Sequence, residues 1–141
     1  MTTPPGFTGV AHLAMTVVDM EATAAWWERT FGFERLRRVD EPEGEQRHPR
    51  ILIRHPGSGL VFGIHEPHER SGDRFDPDRT GLDHIALAVT ERTDLDRWSE
   101  HLDALGVEHS PARDAGYAEF VSFTDPDGIQ GELWWVKPAT G

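Results

Sequence analysis

VAHLAMTV at residues 10–17 and LDHIALAV at residues 82–89 align without a gap and set His12 on His84. Each octet runs into an acidic turn, VVDMEA after the first and TERTD after the second, and then into a helical pattern closed by glycine. Met20, Ala24, Trp27 and Phe31 recur at helical spacing before Gly32; Leu95, Trp98, Leu102 and Leu105 do so before Gly106. Glycine at that place suits the left-handed residue that ends many helices. Three short strand candidates follow each helix: 34–40, 50–55 and 60–65 in the first half, and 108–110, 117–124 and 129–136 in the second. The turn-forming stretches HPGSG (55–59) and DPDG (125–128) precede the last strand of each half.

The chain therefore reads as strand–helix–strand–strand–strand, twice. The expected class is α+β: two βαβββ modules at 10–66 and 82–137, with tails at 1–9 and 138–141 and a polar linker at 67–81. One module cannot bury both faces of its sheet. Two can cover one face of each curved mixed sheet with a helix on the outside and turn the other faces into a shared cup. Strand alternation sends Leu13, Met15 and Val17 to the helix side and His12, Ala14 and Thr16 to the open side. The same parity puts Ile85, Leu87 and Val89 under the helix and His84, Ala86 and Ala88 in the open. Histidines flanked by small residues mark a cavity rather than a packed core.

In the last strand, Gln130, Glu132 and Trp134 share the open-face parity. A carboxylate there needs a cation or a good donor, because burying it unpaired is costly. Two histidines and a carboxylate make a facial ligand set that leaves coordination positions free, which suits Fe(II) and is compatible with Mn(II) or Zn(II). In the corresponding strand of the first half, Gly63 and His65 take the open-face parity. A neutral imidazole suits proton transfer.

Composition narrows the partners. The formal charge is −11, from 14 basic and 25 acidic side chains, so nucleic acid is not expected. A small-molecule ligand is, and the acidic balance favours a cationic one over a phosphonate. The absence of cysteine excludes disulfides and thiolate chemistry. No apolar run is long enough for a membrane span, and MTTPPGFTG lacks the features of a signal peptide, so a cytoplasmic location is expected.

The His12 strand, the acidic turn into a WW helix, the His84 strand and DPDGIQGELWW together resemble the vicinal oxygen chelate superfamily, which includes glyoxalase I, extradiol dioxygenases and the fosfomycin and bleomycin resistance proteins. The resemblance spans about residues 10–137 and implies that His12, His84 and Glu132 ligate one divalent metal. Glyoxalase I draws a fourth ligand, a glutamate, from the last strand of its first module. Aligning Gly59 with Gly128 sets Gly63 opposite Glu132, and glycine has no side chain to offer, so the chain looks closer to the three-ligand members. The implied activity is metal-dependent, extradiol-dioxygenase-like or lyase/isomerase-like, on a small oxygenated substrate, aromatic or not. The alternative is a metal-free cup that sequesters a drug or metabolite, as antibiotic resistance proteins of this group do. His65 is then a proton-transfer group, a further ligand or a structural residue. Trp134 would stack on the substrate, the Tyr117 hydroxyl would meet a substrate oxygen, and Arg54 would meet an anionic group. Homodimers are common among small members, and unpaired sheet edges give a physical reason for pairing.

Overall fold

The computed structural model describes residues 3–69 and 72–140. Asp19 opens the first helix by accepting the Ala22 N–H at 2.9 Å, and the helix α1 runs Met20–Phe31. Gly32, with φ 73°, ends it in the left-handed conformation. The second helix, α2, runs Arg92–Ala104; the Glu91 N–H donates to Asp94 Oδ2 at 2.9 Å at its start. Both helices present one apolar face, with Ala24 and Trp27 buried on α1 and Leu95 and Leu102 buried on α2.

Each helix covers its own four-stranded mixed sheet. The first contains β1 (Leu13–Thr16), β2 (Glu34–Val39), β3 (Arg50–Arg54) and β4 (Val61–His65), in the spatial order β1-β4-β3-β2. The second contains β5 (His84–Ala88), β6 (Arg113–Asp114), β7 (Ala118–Thr124) and β8 (Gln130–Val136), in the order β5-β8-β7-β6. In both sheets the first strand pairs parallel with the last, and the remaining pairs are antiparallel. This is the repeated βαβββ arrangement, in two compact units, Met1–Ser71 and Gly72–Gly141. No helix among the described residues is long and apolar enough to cross a membrane.

Alternation holds on both sheets. Ile51, Ile53, Phe62 and Ile64 are fully buried beneath α1, and Val121, Phe123 and Leu133 are buried beneath α2. Gly131 belongs to that buried face: a Cβ there would stand 2.3 Å from the Phe123 ring, so only glycine fits the close approach. On the other face Ala14, Thr16, His84, Ala86 and Ala88 are exposed.

Two boundaries differ from expectation. The strand expected at 108–110 is reduced to one bridge, His109 to Phe123. Pro111 has no N–H to continue the ladder, and Ser110 Oγ takes the Ser122 N–H instead. Pairing resumes only at Arg113 opposite Phe120. The first strand begins at Leu13 rather than Val10, because its partner β4 begins only after the Gly59 turn, so His12 lies one residue outside the ladder and is exposed.

The DPDG turn is held by Asp125. Its Oδ1 accepts the N–H groups of Asp127 and Ile129 at 2.9 and 2.8 Å, while Oδ2 is buried without a hydrogen bond. Burial raises the Asp125 carboxyl to about 6 against the pull of those two donors. Part of the expected linker rests on this turn: the Phe75 N–H donates to the Asp127 carbonyl at 3.1 Å.

Candidate functional site

Strand register decides which residues correspond between the modules. In the first sheet Ala14 stands beside Gly63, and Gly63 beside Leu52. In the second, Ala86 stands beside Glu132, and Glu132 beside Ser122. Gly63 and Glu132 therefore hold equivalent places. One step along each sheet, Thr16, His65 and Arg50 form a row in the first module, matching Ala88, Trp134 and Phe120 in the second.

The second module brings His84 and Glu132 together. His84 Nε2 lies 3.4 Å from Glu132 Oε2. That contact is too poorly formed for a hydrogen bond, and Oε2 is left buried without one. The Glu132 side chain is only 14% exposed. On the other side of the ring, His84 Nδ1 is 2.6 Å from Asp83 Oδ1. A carboxylate on Nδ1 turns Nε2 outward as the free lone pair, the arrangement that commonly braces a metal-bound histidine. An orphaned carboxylate oxygen beside a braced imidazole nitrogen fits a divalent cation. Within neither module do three His, Asp or Glu side chains among the described residues gather closely enough to hold a metal, so this pair is the part of the expected ligand set that lies within one module.

Beside the pair, Trp134 stacks on Phe120, with centroids 5.1 Å apart and planes 21° apart, and Tyr117 meets Trp134 at 5.9 Å. Tyr117 precedes β7, is exposed, and is grouped with this aromatic surface rather than with Glu132. Phe120 was not among the sequence candidates; its register opposite Trp134 is what brings it in.

In the first module His65 folds back over Gly63. Its Nε2 lies 3.0 Å from where a Gly63 Cβ would stand, and the Ala14 Cβ is 3.5 Å from the same point. The imidazole thus takes the room that a side chain at 63 would need, on the open face as the strand parity required. Burial lowers the His65 imidazole below its ordinary value, reinforced by the neighbouring charges of Arg50, His48 and His12. The ring is therefore a neutral proton acceptor at pH 7. Arg54 lies elsewhere: it pairs with Val61 and Glu34 at the far end of β3, and its guanidinium is 3.7 Å from the Cβ position of Gly59. Arg50, passed over in the sequence, stands beside His65, which only the β3–β4 register reveals, and His48 adds to the charge that His65 meets.

A family model, the Glyoxalase/Bleomycin resistance protein/Dioxygenase superfamily, matches residues 9–133. The chain belongs to this superfamily. A glyoxylase/bleomycin resistance protein/dioxygenase domain from Frankia sp. EAN1pec is 28% identical, with a TM-score of 0.82 over 94% of this chain and 100% of that one. A glyoxalase family protein from Enterococcus faecalis is 25% identical, with a TM-score of 0.74 over 91% and 98%. A variant of the fosfomycin resistance protein FosX from Listeria monocytogenes, complexed with Mn(II) and 1S,2S-dihydroxypropylphosphonic acid, is 25% identical, with a TM-score of 0.67 over 91% and 90%. No curated protein matches the chain.

Proposed function

We propose that this superfamily member is a metal-dependent enzyme acting on a small oxygenated substrate. The observation that supports it is the buried, unpartnered Oε2 of Glu132 beside the Asp83-braced ring of His84. Glu132 and His84 would hold a divalent ion, Mn(II), Fe(II) or Zn(II), and His12, the repeat partner of His84, would supply the third ligand from the same chain or a second copy. The Mn(II) bound by the FosX relative supports the choice of a divalent ion. The ion, when bound, supplies Lewis acidity toward substrate oxygens.

The chain's own residues account for the rest. His65, neutral at pH 7, accepts a proton at Nε2 from the substrate carbon or from water and returns it later in the cycle. That favours lyase or isomerase chemistry over ring-cleaving oxygenation. Trp134 and Phe120 give the apolar part of the substrate a flat surface and keep water from it. Tyr117 borders that surface and offers a hydroxyl to a substrate oxygen.

Titration of the metal-free protein with Mn(II), followed by loss of the free-ion electron spin resonance signal, tests the ligand set. Wild type should bind one ion, and Glu132→Ala and His84→Ala should each weaken binding roughly 10- to 100-fold or more. Equal affinity in all three proteins would refute it.

A further inference from the structure

The first module's open face is basic, in a chain of net charge −11. Register places Arg50 beside His65, and Leu52 between Gly63 and Arg37. Arg37 and Arg50 are thus diagonal neighbours on this face. A bulge between Arg35 and Arg37 turns consecutive arginines of β2 to opposite sides.

The two sides are treated differently. On the helix side, Arg35 pairs with Glu21 and Glu28, and Arg38 pairs with Glu21 and Asp40 at 2.8 Å. On the open side, no carboxylate among the described residues makes an ion pair with Arg37 or Arg50. Arg50 is half-buried as a residue, and no carboxylate among the described residues stands against its guanidinium. A planar guanidinium in that state offers a two-pronged donor set for an oxyanion. The equivalent position in the second module holds Phe120, stacked on Trp134, so the same row of the fold is apolar in one module and cationic in the other.

We infer that Arg50, with Arg37 beside it and His65 as a neighbouring donor or acceptor, forms a binding site within the first module for an oxyanion, a carboxylate or a phosphoryl-type group. All three residues lie in the first module, and the site does not need the metal. The local charge of this face is thus opposite in sign to the net charge, and Arg50, beside His65, is the residue placed to meet the anion.

The test is calorimetric titration of the metal-free protein with inorganic phosphate and with acetate, at low and at raised salt. Wild type should bind at least one of the two, and the tighter of them tells a tetrahedral group from a planar one. Arg50→Gln should weaken that binding roughly tenfold or more, the expected loss of a charged hydrogen-bonded pair. Arg50→Lys should recover only part of it, because the charge returns without the fork. Arg38→Gln, which removes an equal charge from the helix side, should leave it unchanged. Thermal melts of each variant separate lost binding from lost folding. Equal weakening by Arg50→Gln and Arg38→Gln, or no binding of either anion to wild type, would overturn the inference. The Mn(II) titration is read independently on Glu132 variants, so a failed anion site and a failed metal site give different results.

Discussion

Replacing Glu132 by Gln should stabilise the metal-free protein and remove most of the stability that metal adds. Glu132 Oε2 is buried without a hydrogen bond, and its side chain is 14% exposed. An unsatisfied buried polar atom costs about 1–3 kcal/mol, and more for a charged group. Gln keeps the shape and removes the charge, so in chelator the variant should be the more stable protein by about 1–3 kcal/mol, a rise of roughly 3–10 °C in melting temperature for a chain of this size. In Mn(II) at about one hundred times its dissociation constant, wild type gains about 2.7 kcal/mol by mass action. The variant gains much less, so the advantage shrinks or changes hands. Differential scanning calorimetry of both proteins, with chelator and with Mn(II), reads all four values. Wild type more stable than the variant in chelator, or an equal metal-induced gain in both, would refute the reasoning, because Oε2 would then be neither frustrated nor a ligand.

Converting His65 to Ala should leave Mn(II) affinity unchanged and cut turnover by about 10²- to 10⁴-fold, the usual span for a lost proton-transfer group; a matching loss of Mn(II) affinity would make it a ligand instead. The folded-state value of His65 is lowered, so the folded protein takes up its proton later than the unfolded chain as pH falls. Stability should decline as pH drops through about 6.5 toward the folded value, and nuclear magnetic resonance titration should show Arg50→Gln moving His65 upward. Asp125 works in the other sense: raised to about 6, it favours the folded state when protonated and costs stability as pH rises from about 4 to 6. Asp125→Asn should flatten that segment of the stability–pH profile by about 3 kcal/mol at most, read by urea denaturation across the range. The strands β1 and β5 lie at sheet edges, and sedimentation at micromolar concentration should show a species of twice the 15.9 kDa chain mass; a monomer alone would exclude pairing.

The fold was legible because its signals are local and occur twice. The helix ends at Gly32 and Gly106, the turns at Gly59 and Gly128, and the alternation along 84–88 need no knowledge of distant residues. The equivalence of Gly63 and Glu132 was also legible, since two turn glycines set the same count in both halves. Less legible was anything that depends on cross-strand register. The second module's first return strand was misplaced because Ser110 and Pro111 break the ladder in a way that β propensity does not reveal. Arg50 went unnoticed while Arg54 was named, although the two share a face; only pairing with β4 shows which one stands at His65. Net charge does not describe a single face: the acidic side chains that neutralise Arg35 and Arg38 are on the helix side, leaving the open face of the same sheet basic.

The most direct test of the central claim is metal stoichiometry by elemental analysis, on protein purified without a metal-affinity tag and dialysed against Mn(II). One divalent ion per chain is expected in wild type, with loss of that ion in Glu132→Ala and in His84→Ala while Arg38→Gln retains it. Stoichiometry unchanged by removal of Glu132 and His84 would contradict the account.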